Sequence, residues 1–209
     1  MRFKFETFSA CVEPIVVKEE FPLIVSSNGG WERWFQLEYE YYLFRYISEK
    51  QIPSTTVESE VKIYFGNKFR ADLYLVSGYD KYVIELKCQT FQDSVENFTR
   101  ERVIREDMEK YNDTVAQGVK YLAIMYTHWV QNDNAFIQNT DDTSYYVNSI
   151  VAAFERAGYN SQKVTNGLKG KFHIHYYNSN QVVYKNRKLR SVCFVMLPYD
   201  EIKHGFAMY

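Results

Sequence analysis

A chain of 209 residues is long enough to bury one sizeable core, and a composition 46% hydrophobic and 18% aromatic excludes a disordered protein. The formal net charge of −1 excludes a global basic field, although a local basic patch could be masked by clustered acids. Cys11, Cys88 and Cys193 are odd in number and lack metal-type spacing. With no apolar run near ~20 residues and no signal-like N-terminus, they predict buried thiols in a soluble, cytoplasmic protein without a membrane partner.

In chain order, Arg2 to Phe8 alternates as a strand would, and Phe21 to Val25 is a second short apolar run, so residues 1–30 read as an extension of N-terminal strands. Ser26 to Gly30 is a breaker. From Trp31 to about Lys50 there is no Gly or Pro, and the pattern is helical. Trp31, Trp34, Leu37, Tyr41, Tyr42 and Phe44 fall on one arc, predicted to be the core face. Glu32, Arg33, Gln36, Glu40 and Lys50 gather opposite, as a solvated face would. Glu38 falls within the aromatic arc, where a carboxylate needs a partner. It reads either as an ion pair with Arg45 or as an acid turned toward a site on the strands that follow.

Ile52-Pro53 ends the helix, and Val57 to Phe65 alternates as a strand. Two apolar-rich runs, Phe69 to Val76 and Lys81 to Gln89, then flank Ser77-Gly78-Tyr79-Asp80 and predict a β-hairpin. A turn centred between Gly78 and Tyr79 sets Val76 opposite Lys81 and Asp72 opposite Glu85, with Lys87 on the same face. Two carboxylates and an ammonium at the end of an apolar sheet are costly unless a cation is held there. Gln89 shares the face of Lys87. Asp93-Ser94 caps a helix to about Thr114 with a core stripe of Ile104, Met108, Tyr111 and Val115, on which Asp107 and Lys110 read as a surface pair. Val119 to Tyr126 is apolar enough to be an interior strand.

After Thr127, residues 131–144 read as a long polar loop and Ser144 to Ala157 as a helix. Lys171 to Tyr177 and Gln181 to Lys185 read as a second hairpin about Asn178-Ser179-Asn180, and Ser191 to Leu197 as a last strand. Lys185, Arg187, Lys188 and Arg190 form the densest basic run, read either as a solvated face or as a phosphate-binding surface. His173 and His175 share a strand face without a third ligand, so hydrogen-bonded histidines are expected there rather than a metal pair. The chain is expected to be a single domain, with a core over residues 31–127 and an elaboration over 128–209.

Asp72 followed by Glu85-Leu86-Lys87 resembles the active-site signature of the PD-(D/E)XK nuclease superfamily. Two other Glu-x-Lys triplets, Glu60-Val61-Lys62 and Glu201-Ile202-Lys203, lack an apolar strand with a facing Asp. The order helix, three strands, helix, strand is the core for which that superfamily is known. The resemblance therefore implies an α/β, restriction-endonuclease-like fold with a mixed central sheet flanked by helices. It also implies a Mg²⁺-dependent nuclease (Mn²⁺ as substitute) acting on nucleic acid, DNA before RNA. Asp72, Glu85 and the Leu86 carbonyl would hold the metal, and Lys87 would assist electrostatically. Glu38 would stand for the first-helix Glu of the family, holding a second ion or its waters, and Gln89 is a lesser candidate for orienting these groups. Many members act as dimers, so a homodimer is one expectation, though no isologous patch is visible. The alternatives are a non-catalytic nucleic-acid- or protein-binding module on the same fold, and a toxin or effector nuclease.

Overall fold

The computed structural model describes residues 3–27, 31–64, 69–108, 111, 118–131, 141–177 and 183–203. Its elements are α1 (Phe5–Ala10), α2 (Glu13–Val16), α3 (Phe21–Ser26), α4 (Trp31–Glu49), β1 (Thr55–Val61), β2 (Ala71–Ser77) and β3 (Asp80–Cys88). Then come α5 (Val95–Phe98), which continues as a π-helical segment (Thr99–Met108), and β4 (Val119–Gln131). The chain finishes with α6 (Asp142–Arg156), α7 (Ser161–Leu168), β5 (Phe172–Tyr176), β6 (Val183–Tyr184), β7 (Arg187–Pro198) and α8 (Tyr199–Lys203).

One mixed sheet runs in the order β1-β2-β3-β4-β7-β5, with β6 pairing off β7. Only β3 and β4 are parallel, because a helix carries the chain between them; the other pairs are antiparallel. Burial follows the period of two. Leu73, Leu75, Tyr82, Ile84 and Leu86 face a core shared with Phe8, Val16, Phe35, Tyr39 and Leu43 of α1 to α4. Val83, Leu122, Ile124 and Tyr126 face the opposite core, shared with Val103, Ile104 and Met108 of the π-helical segment and Ile150 and Phe154 of α6. The result is a sheet between two helical layers, with the expected order helix, three strands, helix, strand in place.

Four sequence expectations are corrected. The N-terminal runs are helices rather than strands: Pro14 and Pro22 sit in the first turns of α2 and α3, where a missing N–H costs nothing, and their apolar residues cover α4 and the sheet. The core face of α4 is Trp31, Phe35, Gln36, Tyr39, Leu43 and Ile47, while Leu37, Tyr41 and Phe44 are exposed. Aromatics surround that helix, so periodicity alone does not select a face. Ile104, Met108 and Tyr111 are buried as expected, but Thr99–Met108 winds as a π-helix, and Val115 lies outside the described residues. β5 pairs with β7, and the hairpin is β6–β7, turning at Lys185 (φ 47°) and Asn186 (φ 62°). Residues 178–180, where the turn was expected, lie outside the described residues.

All three cysteines are buried and free, as their spacing suggested, and burial pushes the Cys11 thiol up to about 12. Among the described residues no helix is long and apolar enough to cross a membrane.

Gly118 opens β4 at a φ of 146°, and a Cβ there would stand 2.6 Å from the Lys81 carbonyl oxygen of β3. Gly118→Ala is expected to lower stability by more than about 1 kcal/mol, read as a drop in urea midpoint. An unchanged midpoint would refute so close an approach of the two parallel strands.

Candidate active site at the end of the central hairpin

The ladder between β2 and β3 keeps the expected register, with Val76 opposite Lys81, and ends at Leu73–Ile84. Beyond that pair the amides on the β2 side of β3 are taken by carboxylates. Leu86 N–H donates to Asp72 Oδ2 at 2.7 Å, and Cys88 N–H donates to Glu32 Oε2 at 3.1 Å. A charged acceptor there replaces a lost ladder bond with a stronger one. Glu60, beside Asp72 on β1, adopts a φ of 56°, and its pair is skipped between Ser59–Leu73 and Val61–Ala71. A left-handed non-glycine inside a strand is a strained feature of the kind that gathers at functional sites.

The same end of β3 presents Glu85, 1% exposed, and Lys87, 8% exposed. Glu85 accepts a short hydrogen bond from the Tyr64 hydroxyl, and its N–H donates to Tyr111 Oη at 3.0 Å. Lys87 Nζ lies 3.5 Å from Glu32 Oε1 and 3.5 Å from Asp107 Oδ2, and Asp107 is fully buried. Burial drives the Tyr64 phenol well above its ordinary value, with Glu85 the nearest charge and Asp107 and Asp72 adding to it. Asp72 is itself pushed up to about 6, chiefly by burial. The Leu86 N–H and Lys87 oppose that rise, and Glu32 and Asp107 add to it. Three carboxyls, on α4, β2 and the π-helical segment, thus lie about Lys87, and Glu85 stands two residues before it on β3.

Lys87 is close enough to act on Asp72, and Glu85 precedes it by two residues on β3. Glu38 does not join them: it pairs with Lys18 at 2.6 Å, and neither that site nor Arg45 is its partner, since Arg45 bonds Glu49. The reason is geometric. Gln36 is the α4 residue that reaches β2, donating to the Asp72 carbonyl at 2.9 Å; Glu38 lies about 200° around the helix from it, and Glu32 only about 40°. Glu32, expected on the solvated face, is therefore the first-helix acid at the site. Asp107, expected as a surface partner of Lys110, is buried beside Lys87, and Lys110 lies outside the described residues. Nothing in the sequence singled out Tyr64, while Tyr111 had been read only as core.

Gln89 orients nothing at the site, because its amide is spent elsewhere: Oε1 accepts from Thr127 N–H, and Nε2 donates to the Asp93 carbonyl. The basic run is also split. Arg190 is drawn 3.0 Å from buried Asp142, Arg187 stacks over Phe91, and Lys185 sits in the β6–β7 turn. His173 is hydrogen-bonded to Glu13 of α2 at 2.7 Å, and His175 Nδ1 lies 3.4 Å from the same carboxylate.

The donors at the strand end are all oxygen, the kind Mg²⁺ prefers. Among the described residues no group of three or more His, Cys, Asp or Glu forms a ready metal cage. Mg²⁺ ordinarily takes one or two carboxylates and completes its shell with water and substrate phosphate. An open cleft of about 400 Å³ adjoins Glu32, and its other lining residues are Arg33, Cys88, Thr90, Asp93, Phe98 and Arg102.

A carboxyl held above its ordinary 3.8 binds its proton more tightly in the native state, so stability contributed by Asp72 falls as pH rises from about 4 to about 6 and is then level. In metal-free protein, Asp72→Asn should raise stability at pH 7 by on the order of 2 kcal/mol and flatten that slope, read from denaturant midpoints at several pH values. A variant no more stable than wild type at pH 7 would contradict the burial cost assigned to this carboxyl. Comparison of the chain with family models, curated proteins and solved structures finds no match, so the site is interpreted from its own residues.

Proposed function

We propose that the protein is a Mg²⁺-dependent nuclease of restriction-endonuclease-like fold, hydrolysing phosphodiester bonds in nucleic acid, DNA before RNA, in the cytoplasm. The observation that carries this reading is the gathering of Asp72, Asp107 and Glu32 about Lys87 where β2 and β3 part, with Glu85 two residues before that lysine on the same strand. Asp72 and Glu85, with the Leu86 carbonyl, would hold the ion, which when bound polarises the phosphate and makes a bound water more acidic.

The chain's own groups do the rest. Lys87 sits next to the developing charge and donates to a non-bridging phosphoryl oxygen as a water attacks phosphorus and the P–O bond to the leaving oxygen breaks. Glu32 and Asp107, one on either helical layer, fix where that ammonium points. Tyr64 and Tyr111 anchor Glu85 from its side chain and its backbone, so the acid is held in place before substrate arrives. A second reading, a non-catalytic module on the same fold, is favoured by one feature. Glu85 is almost wholly buried and already accepts a bond from Tyr64, as a purely structural acid would.

Purified protein with Mg²⁺ or Mn²⁺ should degrade DNA or RNA, and EDTA should stop it. Glu85→Ala, Lys87→Ala and Glu32→Gln should each lower the rate by about 100-fold or more, whereas Glu38→Gln should leave it within about twofold. Full activity in Glu85→Ala would overturn the proposal, and a calorimetric titration showing no metal uptake would favour the non-catalytic reading.

A further inference from the structure

The cleft beside Lys87 has walls from two layers. Glu32 and Arg33 come from α4, Cys88 and Thr90 from the end of β3 and the residues after it, and Phe98 and Arg102 from α5 and its π-helical continuation. Glu32 is common to the cleft and to the site, since its carboxylate lies 3.5 Å from Lys87 Nζ. The cations that line this route are Arg33 of α4 and Arg102 of the π-helical segment.

Both guanidinium groups are available. Their side chains are 53% and 54% exposed, and each is paired with a somewhat less exposed acid, Arg33 with Glu60 at 3.2 Å and Arg102 with Glu106 at 3.1 Å, while Arg33 also donates to Gln36 Oε1 at 2.8 Å. Exposed pairs of this kind contribute between about 0 and 1 kcal/mol, so exchanging the carboxylate for a phosphate costs little and gains a bidentate contact. The basic run at residues 185–190 lacks this freedom at Arg190, which serves buried Asp142.

Size limits the occupant. A cleft of about 400 Å³ is at the lower end of small-ligand sites and takes a nucleotide or so of one strand. Lys87 is nearly buried behind Glu32, which lines the cleft, so a phosphate coming to it by this route has to enter the cleft. An unpaired strand can bend to do this, whereas in a duplex the backbone is held by stacked pairs. Phe98 lines the cleft but is buried, leaving no exposed ring there for base stacking.

We infer that the substrate strand is single, its phosphates gripped between Arg33 and Arg102 and delivered along the cleft to Lys87. This rests on the nuclease reading and deepens it by naming the substrate form and the binding residues.

The test is fluorescence anisotropy of the full chain with a labelled single-stranded oligonucleotide and with a blunt duplex of the same sequence, in EDTA and in Ca²⁺. The single strand should bind about tenfold or more tightly than the duplex. The double variant Arg33→Gln with Arg102→Gln should weaken it by about tenfold or more and reduce the slope of log affinity against log salt by roughly 1.4, two phosphate contacts at about 0.7 each. Arg33→Lys with Arg102→Lys should retain most of the binding, which separates lost charge from lost fold, and Lys185→Ala with Lys188→Ala should stay within about twofold. Equal affinity for the duplex, indifference to the arginine variants, or no binding in either buffer would overturn the inference. Cleavage that persists at full rate in the arginine variants would sink this inference alone, while arginine-dependent binding without cleavage under any metal would sink the nuclease reading and leave the cleft.

Discussion

Everything at the candidate site depends on where β2 and β3 stop pairing. Within a sheet a strand's amides are satisfied by its neighbour, and β3 has β2 only as far as Ile84. From there Asp72 and Glu32 supply the missing acceptors to Leu86 and Cys88. Each carboxylate is thereby pinned by a backbone bond as well as by its own element, and the two are drawn toward the same few residues of β3. A hydrogen-bonding deficit in the strand thus positions the acids, and the side chains of Glu85 and Lys87, two apart on one face, complete the group.

The hairpin was legible in the sequence because two constraints agree there. A Gly–Tyr turn sets the register, and alternation sends Leu73, Leu75, Tyr82 and Ile84 to one core and Asp72 and Glu85 away from it. The three Glu-x-Lys triplets show how little the tripeptide says by itself. Glu85 and Lys87 are buried on an interior strand, Glu60 lies strained on the edge strand β1, and Glu201 and Lys203 end the short helix α8. The α4 acid was not legible for a physical reason. With aromatics around most of its circumference, α4 could bury several arcs about equally well, and the choice falls to α1–α3, which the sequence had suggested to be strands. Once those helices cover α4 from outside, Lys18 meets Glu38 and Glu32 is left facing β3.

The second helix raises a related point. A 3.6-residue period places Ile104, Met108 and Tyr111 on one stripe and leaves Asp107 at its margin. The wider π-helical winding of Thr99–Met108 brings Val103, Ile104, Asp107 and Met108 all under cover. No residue of that stretch announces the change in pitch. Asp107, about 60° from Ile104 on a 3.6-residue period, is the buried neighbour of Lys87.

A comparison inside the molecule sets the strand-end acids apart from another buried carboxylate. Asp142 is also fully buried, at the start of α6, yet its Oδ2 accepts from Ser191 Oγ at 2.5 Å and from Arg190 Nε at 3.3 Å, so the nearest charge to it is a cation. That arrangement follows the rule for a buried charge, which is to surround it with partners of opposite sense. Asp72 departs from the rule. It has Lys87 and one amide in its favour, but Glu32 and Asp107 are close enough to raise its proton affinity further, and burial has already raised it. A fold that needed only a helix-to-sheet tie at this point could use the pattern it uses at Asp142. Placing further acids beside Asp72 makes the protein less stable at neutral pH, a cost that the proposed divalent cation would offset. The contrast between the two buried aspartates is therefore the electrostatic ground on which the metal proposal stands.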